Sequence, residues 1–583
     1  MKLGANLKEN NEGCTFKVWA PHAQDVSVVG DFNNWSECDL NQMMRDNEGI
    51  WSTDVLQAKA DQKYKFRIKG PVWNDVIVER PDPWARQMEH SAGASIIKDS
   101  RSFNWTDENW SPPFFEEMVI YELHVSTFIG KNDGQLYPGD FQQLKSKLDY
   151  IKNLGANTIE LLPIHEYAGD DYLGYAPVAF FPIEHAYGSA EGKAYDDFKD
   201  FVNTAHAKGL AVIVDVEFNH FTDRQGDDKW IWDYDGDKKY DKGGIYFNGH
   251  NTQWGPAPDW EHQNVIEYVE ECCRYYLSEL HVDGLRWDAT QHIKDKPNGW
   301  DAMRNIIWNL QTTSGYEKKI FIAENLPYEK AVIESGNFDS GWWVQFHHSL
   351  EKALGGRQDK GGSIEHGING GDYSSIYKRI IYTLGHDEVR NGSQYLISEF
   401  GGRNNWNARA KRRLMSALQF FVPGIPMIWQ GEEFLQDGNF QDNEDHAINW
   451  HYQTDDFGSQ MQKMYQDALT IRKDFSAFRY GDLIWAHAQD RNRILAFLRK
   501  DPINGQTMLV VVNFSDIDWT HNHSYGVNTG GIYGQWMQIF CSQDAAYGGW
   551  DGAGNAFYIP WTQGDGKVYL NIPKYGVVVM QLK

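Results

Sequence analysis

Four short segments of this chain end in groups suited to opening a sugar acetal: Asp215-Val216-Glu217-Phe218-Asn219-His220, Gly284-Leu285-Arg286-Trp287-Asp288, Ile322-Ala323-Glu324-Asn325 and Leu384-Gly385-His386-Asp387-Glu388. Cleavage with retention needs two carboxyl groups about 5 to 5.5 Å apart, one attacking the anomeric carbon and one protonating the leaving oxygen. Asp288 suits the first task. It follows Arg286 by two residues, so strand alternation puts the guanidinium on its own face, where it would hold the carboxylate ionised. Glu324 suits the second, because Phe321, Ile322 and Ala323 before it provide apolar surroundings that raise a carboxylic acid's pKa. Asp387 offers a third carboxylate to bind hydroxyls and stabilise an oxocarbenium-like ring, with His386 and His220 as hydrogen-bond donors. None of these steps requires a metal or an organic cofactor.

Taken singly, each of these residues is an ordinary cap, loop or core group, since Asp often ends strands and starts helices. Their joint placement argues otherwise. Each closes an apolar run rich in β-branched or aromatic residues (AVIVDV, HVDGLRW, KKIFIAEN, IIYTLGH), which reads as a buried parallel strand with a functional group at its C-terminal tip. From Met118 onward such runs alternate with amphipathic helical segments: MVIYELHV, NTIELLPI, LAVIVDV, VDGLRW, KIFIAEN, WWVQFHH, RIIYTLGH and IPMIWQG are the candidate strands. Eight of them predict a (β/α)8 TIM barrel, a fold that keeps its chemistry at the strand C-termini.

The chain therefore reads as multidomain. Residues 1–105 carry short alternating runs (CTFKVWAP, VSVVGDF, KYKFRIKG, VIVER) and predict an N-terminal β-sandwich, followed by a linker over 104–113. The barrel is expected over 112–478, with a long Gly- and Asp-rich excursion over 221–260 after the third strand, lying above the barrel mouth. Strand-like runs return over 479–583 and predict a C-terminal antiparallel β domain, a second sandwich.

Composition narrows the partners. A net charge of −26 argues against nucleic acid and anionic membranes, which need clustered Lys and Arg. The 24 Trp within 14% aromatic content offer flat faces on which sugar rings stack, although large cores also consume aromatics. Cys14, Cys38, Cys272, Cys273 and Cys541 are scattered and predict reduced thiols rather than disulfides or a zinc site. No apolar run approaches the roughly 18 residues that span a bilayer, and the N-terminus lacks a signal-like apolar stretch, so a cytoplasmic location is expected. Structural calcium is conceivable on Asp223, Asp227, Asp228, Asp233, Asp235 and Asp237, but without EF-hand spacing a solvated acidic loop is the preferred reading.

At its four segments the chain resembles the alpha-amylase superfamily, glycoside hydrolase family 13. Residue by residue, the resemblance implies Asp288 as nucleophile, Glu324 as acid/base and Asp387 as transition-state stabiliser. It also implies Arg286, His220 and His386 as supporting groups and Asp215 as a structural carboxylate behind Arg286. Tyr175 resembles the tyrosine on which the family stacks the sugar being cleaved, with Leu173 where many relatives have an aromatic. FKVWAP, VVGDFNNW and YKFRI resemble a family 48 carbohydrate-binding module. Within the family, His386-Asp387-Glu388-Val389 is similar to glucan branching enzymes, whereas Asp215 to Phe221, Trp254-Gly255-Pro256-Ala257 and Asp283 to Thr290 are similar to maltooligosyltrehalose trehalohydrolases. The leading expectation is a retaining enzyme on α-1,4-glucan that passes its glycosyl intermediate to a sugar 6-hydroxyl. The alternatives are a hydrolase of the same family, a trehalohydrolase or a maltooligosaccharide-producing amylase, and, more remotely, a non-catalytic glycan-binding protein.

Overall fold

The computed structural model describes residues 3–9, 12–36, 41–70, 77–130, 137–169, 173–222, 245–247, 249–356, 362–371, 373–390, 392–488 and 491–583. At its centre eight parallel strands close into a barrel in sequence order. They are β1 (Ile120–Leu123), β2 (Thr158–Leu161), β3 (Ala211–Val216), β4 (Gly284–Trp287), β5 (Ile320–Ala323), β6 (Ser340–Trp342), β7 (Arg379–Tyr382) and β8 (Ile425–Trp429). All eight are buried on both faces, which explains why they read as continuous apolar runs rather than alternating ones.

The barrel interior changes character along its axis. Ile120, Ile213, Ile322, Ile380, Ile425 and Met427 pack together in an apolar cluster inside it. Two positions further along their strands, Glu122 and Asp215 are buried acids. Glu122 pairs in register with Glu160, and Asp215 with Arg286, so polar side chains gather toward the C-terminal rim.

The sixth strand corrects the sequence expectation. WWVQFHH was expected to form it, but β6 ends at Trp342 and a helix runs over Val344–Leu354. Val344, His347, Leu350 and Leu354 are buried at helical spacing, so the period of 3.6 outweighs the aromatic and β-branched content of the run.

The N-terminal sandwich has two antiparallel sheets. One contains Gly4–Leu7, Cys14–Trp19, Ile50–Val55 and Met44–Arg45; the other contains Asp25–Gly30, Lys63–Lys69, Ser95–Ile96, Gln87–Met88 and Ile77–Arg80. The sandwich packs on the barrel through the partly buried Arg86–Glu279 ion pair, with Nε to Oε1 at 2.5 Å, and through the Tyr268 hydroxyl, which donates to the Pro83 carbonyl at 2.9 Å. Residues 104–113 lie against the N-terminal rim of the barrel. There Trp105 stacks on His281 at 3.7 Å, the Trp110 indole donates to Asp283 at 2.9 Å, and His206 sits between Asp107 at 2.8 Å and Asp283 at 3.0 Å.

The C-terminal domain has a five-stranded antiparallel sheet, ordered Asp482–His487, Ile494–Lys500, Thr507–Asn513, Gly576–Leu582, Trp536–Cys541, and a smaller pair, Tyr525–Asn528 with Lys567–Leu570. Cys14, Cys272, Cys273 and Cys541 are buried free thiols, while Cys38 and the six aspartates considered for calcium lie outside the described residues. Among the described residues no helix is long and apolar enough to cross a membrane.

Candidate active site

Arg286 organises the C-terminal end of the barrel. Alternation along β4 turns Arg286 inward, and its Nη1 donates to Asp215 Oδ2 on β3 and to Asp288 Oδ1, both at 2.6 Å. Its Nη2 lies 3.1 Å from Glu324 Oε2, and its guanidinium carbon sits 4.2 Å from the centre of the Trp342 ring. One fully buried cation thus touches three of the acids singled out in the sequence.

Above it opens a pocket of about 400 Å³ lined by Tyr175, Glu217, His220, Trp254, Asp288, Ala289, Gln291, Glu324, Leu326, His386, Asp387 and Arg390. Asp288, Glu324 and Asp387, brought by three different strands, therefore face one cavity. Asp387 is the most open of the three, with about half of its side chain exposed.

Glu324 follows β5 directly. Its Oε2 accepts the Ala289 N–H at 3.0 Å, from a residue held at a left-handed φ of 41°, and its own carbonyl accepts the Thr290 N–H at 2.8 Å. A non-glycine residue in that region costs of order 1 to 2 kcal/mol, a strain that here aims an N–H at the carboxyl group. Burial pushes Glu324 up to about 8, with Arg286 opposing and Asp288 and Asp387 reinforcing. At neutral pH it carries a proton.

Asp288 departs from the simple expectation that Arg286 alone holds it ionised. Its Oδ1 takes the Arg286 bond and its Oδ2 accepts from Asn219 Nδ2 at 3.1 Å, yet burial and the neighbouring Glu217 carboxyl raise its pKa well above the usual range, against the guanidinium. Glu217 is itself pushed up to about 8 by burial. The Arg286–Asp288 pairing is present, but it acts within a four-acid field.

The flanking groups are held in turn. The Tyr175 hydroxyl donates to Asp215 Oδ2 at 2.5 Å, and its ring stacks on His386 with centroids 5.1 Å apart. Part of this ring is thus tied into the wall as well as facing the cavity. Leu173, with a φ of 59°, is buried behind it. His386 Nδ1 lies 2.7 Å from Glu122 Oε1, and burial lowers its pKa to about 3, so the ring is neutral and leaves Nε2 on the Asp387 side at 3.6 Å. His220 Nδ1 meets Asn219 Oδ1 at 2.7 Å, and its ring lies 5.7 Å from Trp254, which is partly exposed at the mouth.

The sequence reading gave no role to Glu122, Glu160 or Glu217. Burial pushes Glu160 up to about 8 and Glu122 well above its usual range. Away from the pocket, Glu166, Glu184 and His185 form a cluster of potential metal ligands among the described residues. His185 Nδ1 bridges the two carboxylates at 2.9 and 3.0 Å, and despite its burial they raise its pKa to about 11, so a metal would have to displace a strongly held proton.

Comparison with known proteins gives three family models in order along the chain: carbohydrate-binding module 48 (isoamylase N-terminal domain) over 2–85, alpha amylase catalytic domain over 98–247, and alpha amylase C-terminal all-beta domain over 485–583. The matched domains are those of the alpha-amylase family, in that family's order. Proteins similar to the chain over most of its length include the 1,4-alpha-glucan branching enzyme GlgB 2 of Xanthomonas campestris pv. campestris (strain 8004), 28% identical over 92% of this chain and 75% of that one. The branching enzyme GlgB of Marinobacter nauticus is 26% identical over 99% and 96%. Among solved structures, pullulanase type I of Bacillus subtilis str. 168, complexed with maltose, superposes with a TM-score of 0.78 at 20% identity, covering 100% of this chain and 85% of that one. The pullulanase of Bacillus acidopullulyticus gives 0.79 at 19% identity, covering 100% and 75%. An alpha-amylase-family glycosidase or transglycosylase on α-glucan accounts for the fold and the matched domains together.

Proposed function

We propose that this enzyme is a 1,4-α-glucan branching-type transferase that works with retention. The observation that carries the reading is the Arg286 guanidinium in contact with both Asp288 and Glu324 at the floor of a pocket that also holds Asp387. A carboxylate paired with a cation beside a carboxyl group that keeps its proton is the division of labour that retaining hydrolysis or transfer needs.

In this assignment Asp288 attacks the anomeric carbon of an α-1,4-linked glucose while Glu324 gives its proton to the departing oxygen. Asp387, with His220 and the neutral His386 ring, holds the ring hydroxyls as positive charge develops. Tyr175 provides an aromatic wall, and Asp215 and Arg286 fix the nucleophile from below. Glu324, now a carboxylate, then removes the proton from the acceptor hydroxyl as that oxygen displaces Asp288. Choice of a sugar 6-hydroxyl over water as acceptor is supported by the branching-enzyme relatives, which match nearly the whole chain, and by His386 to Val389. A hydrolase, such as a trehalohydrolase, would use the same floor.

Incubation with amylose separates the readings. Branching lowers iodine absorbance and creates α-1,6 proton signals with few new reducing ends. Reducing ends that grow without α-1,6 signals would reject transfer, and trehalose released from maltooligosyltrehalose would identify the hydrolase.

A further inference from the structure

The segment after β3 puts a fourth acid into the pocket. Glu217 lies two residues beyond Asp215, so alternation returns it to the inward face directly above that carboxylate. It is 1% exposed and lines the cavity with Asp288, Glu324 and Asp387. Asn219 bridges it to the nucleophile, its N–H donating to Glu217 Oε1 at 2.8 Å and its side-chain amide to Asp288 Oδ2 at 3.1 Å, so the two carboxyl groups are hydrogen-bonding neighbours.

Two ionised carboxylates have only lone pairs to offer each other, so this contact requires one proton between them. The neighbours decide which acid carries it. Asp288 receives the Arg286 guanidinium on Oδ1 and the Asn219 amide on Oδ2, both of which favour its charged form. Glu217 receives the backbone N–H groups of Asn219 and His220 and lies 3.3 Å from His220 Nδ1, but among the described residues no guanidinium or ammonium group pairs with it. Burial raises both acids, Glu217 to about 8 and Asp288 well above its usual range, so the pair holds a proton at neutral pH, and the guanidinium that only Asp288 contacts puts it on Glu217.

We propose that Glu217 is a positioning residue for the nucleophile: its carboxyl O–H donates to Asp288 and assists departure of Asp288 from the glycosyl-enzyme ester. This rests on the assignment of Asp288 as nucleophile. In the first step an Asp288 oxygen bonds to the anomeric carbon, the glycosidic bond breaks, and the Glu324 proton goes to the leaving oxygen. In the second, the acceptor oxygen bonds to the same carbon and its proton passes to Glu324. The ester bond breaks with its electron pair returning to Asp288. The Glu217 proton stays on Glu217 throughout and stabilises that returning charge. The same bond makes Asp288 a weaker attacking group, so Glu217 slows formation of the ester and speeds its breakdown.

The test uses the full chain with α-maltosyl fluoride, a donor whose leaving group needs no proton, so that ester breakdown limits turnover. For Glu217→Val, kcat falls about tenfold or more and KM falls with it. Meanwhile kcat/KM stays within about twofold or rises, and quenched protein shows a maltosyl mass adduct. Glu217→Gln, whose amide N–H still donates, recovers part of kcat. Unchanged kcat in Glu217→Val, or kcat/KM falling with kcat and no adduct, overturns the proposal. A damaged fold is excluded by thermal melting of both variants. Asp288→Ala tests the underlying assignment separately: if that variant still forms the adduct, the nucleophile is another residue and both readings fall.

Discussion

His386 Nδ1 lies 2.7 Å from Glu122 Oε1, a bond that ties the loop after β7 to the side of β1. It fixes the ring that Tyr175 stacks on and that approaches Asp387. A hydrogen bond of this kind has a net value of about 0.5 to 1.5 kcal/mol, and about 1.4 kcal/mol is tenfold in rate. Glu122→Ala is therefore expected to lower kcat on amylose by up to about tenfold, and Glu122→Gln, which keeps an acceptor, by less. Equal turnover in all three proteins would show that the bond does not position the ring.

Glu324 makes two linked predictions. With its pKa pushed up to about 8, kcat/KM on amylose should decline as pH rises through that value, because the acid must carry its proton. Glu324→Gln should cost roughly 10²- to 10⁴-fold on amylose, the usual contribution of a general acid, and far less with α-maltosyl fluoride. A comparable loss with both donors would remove Glu324 from the proton-donor role.

Arg286 is the cation of the floor, and its removal would leave Asp215, Asp288 and Glu324 buried without it. Breaking a buried pair from one side costs about 3 to 5 kcal/mol, so Arg286→Ala should melt at a markedly lower temperature as well as lose activity. Arg286→Lys keeps the charge but not the two-pronged fork, and it should recover stability better than kcat. Calorimetry and turnover on the same preparations check this split.

The acids of the barrel also predict a pH dependence of stability. Burial holds Glu160, Glu217, Glu324 and Glu388 up to about 8, so between their ordinary unfolded values and that point the folded state binds more protons than the unfolded chain. Their contribution is complete below the unfolded pKa and is lost as pH rises through the folded one. Buried His347 and His386, held down to about 3, act in the opposite sense, but only below about pH 6.5, where free histidine titrates. The melting temperature should therefore fall from pH 6.5 to 8. A flat or rising profile there would contradict the protonated acids.

Much of this arrangement was legible in the residues. The strand-tip carboxylates follow from apolar runs ending in Asp, Glu or His-Asp, the strand series from apolar runs alternating with amphipathic helices, and the two flanking β domains from short strand-like runs between turns. The sixth strand was not, because Trp342 and Trp343 sit where a strand gives way to a helix, and aromatic content masked the helical spacing of Val344, His347 and Leu350. Glu217 escaped for a different reason. The alternation that joins Arg286 to Asp288 also joins Asp215 to Glu217, but two like charges form no ion pair that would single them out in the sequence. Glu122 and Glu160 were hidden inside apolar runs, where an isolated acid is itself a sign of a polar interior.

The contacts of residues 104–113 have a consequence for how this chain can be dissected. His206 is held between Asp107 and Asp283, whose carboxylates raise its pKa despite burial, and Trp105 and Trp110 stack on His281 and His206. The connection is a brace bonded across the end of the barrel remote from the pocket. Cutting there would strip a charged clamp from the barrel base, so an isolated catalytic half would be a weakened molecule, whatever its intact sugar-facing end could still do.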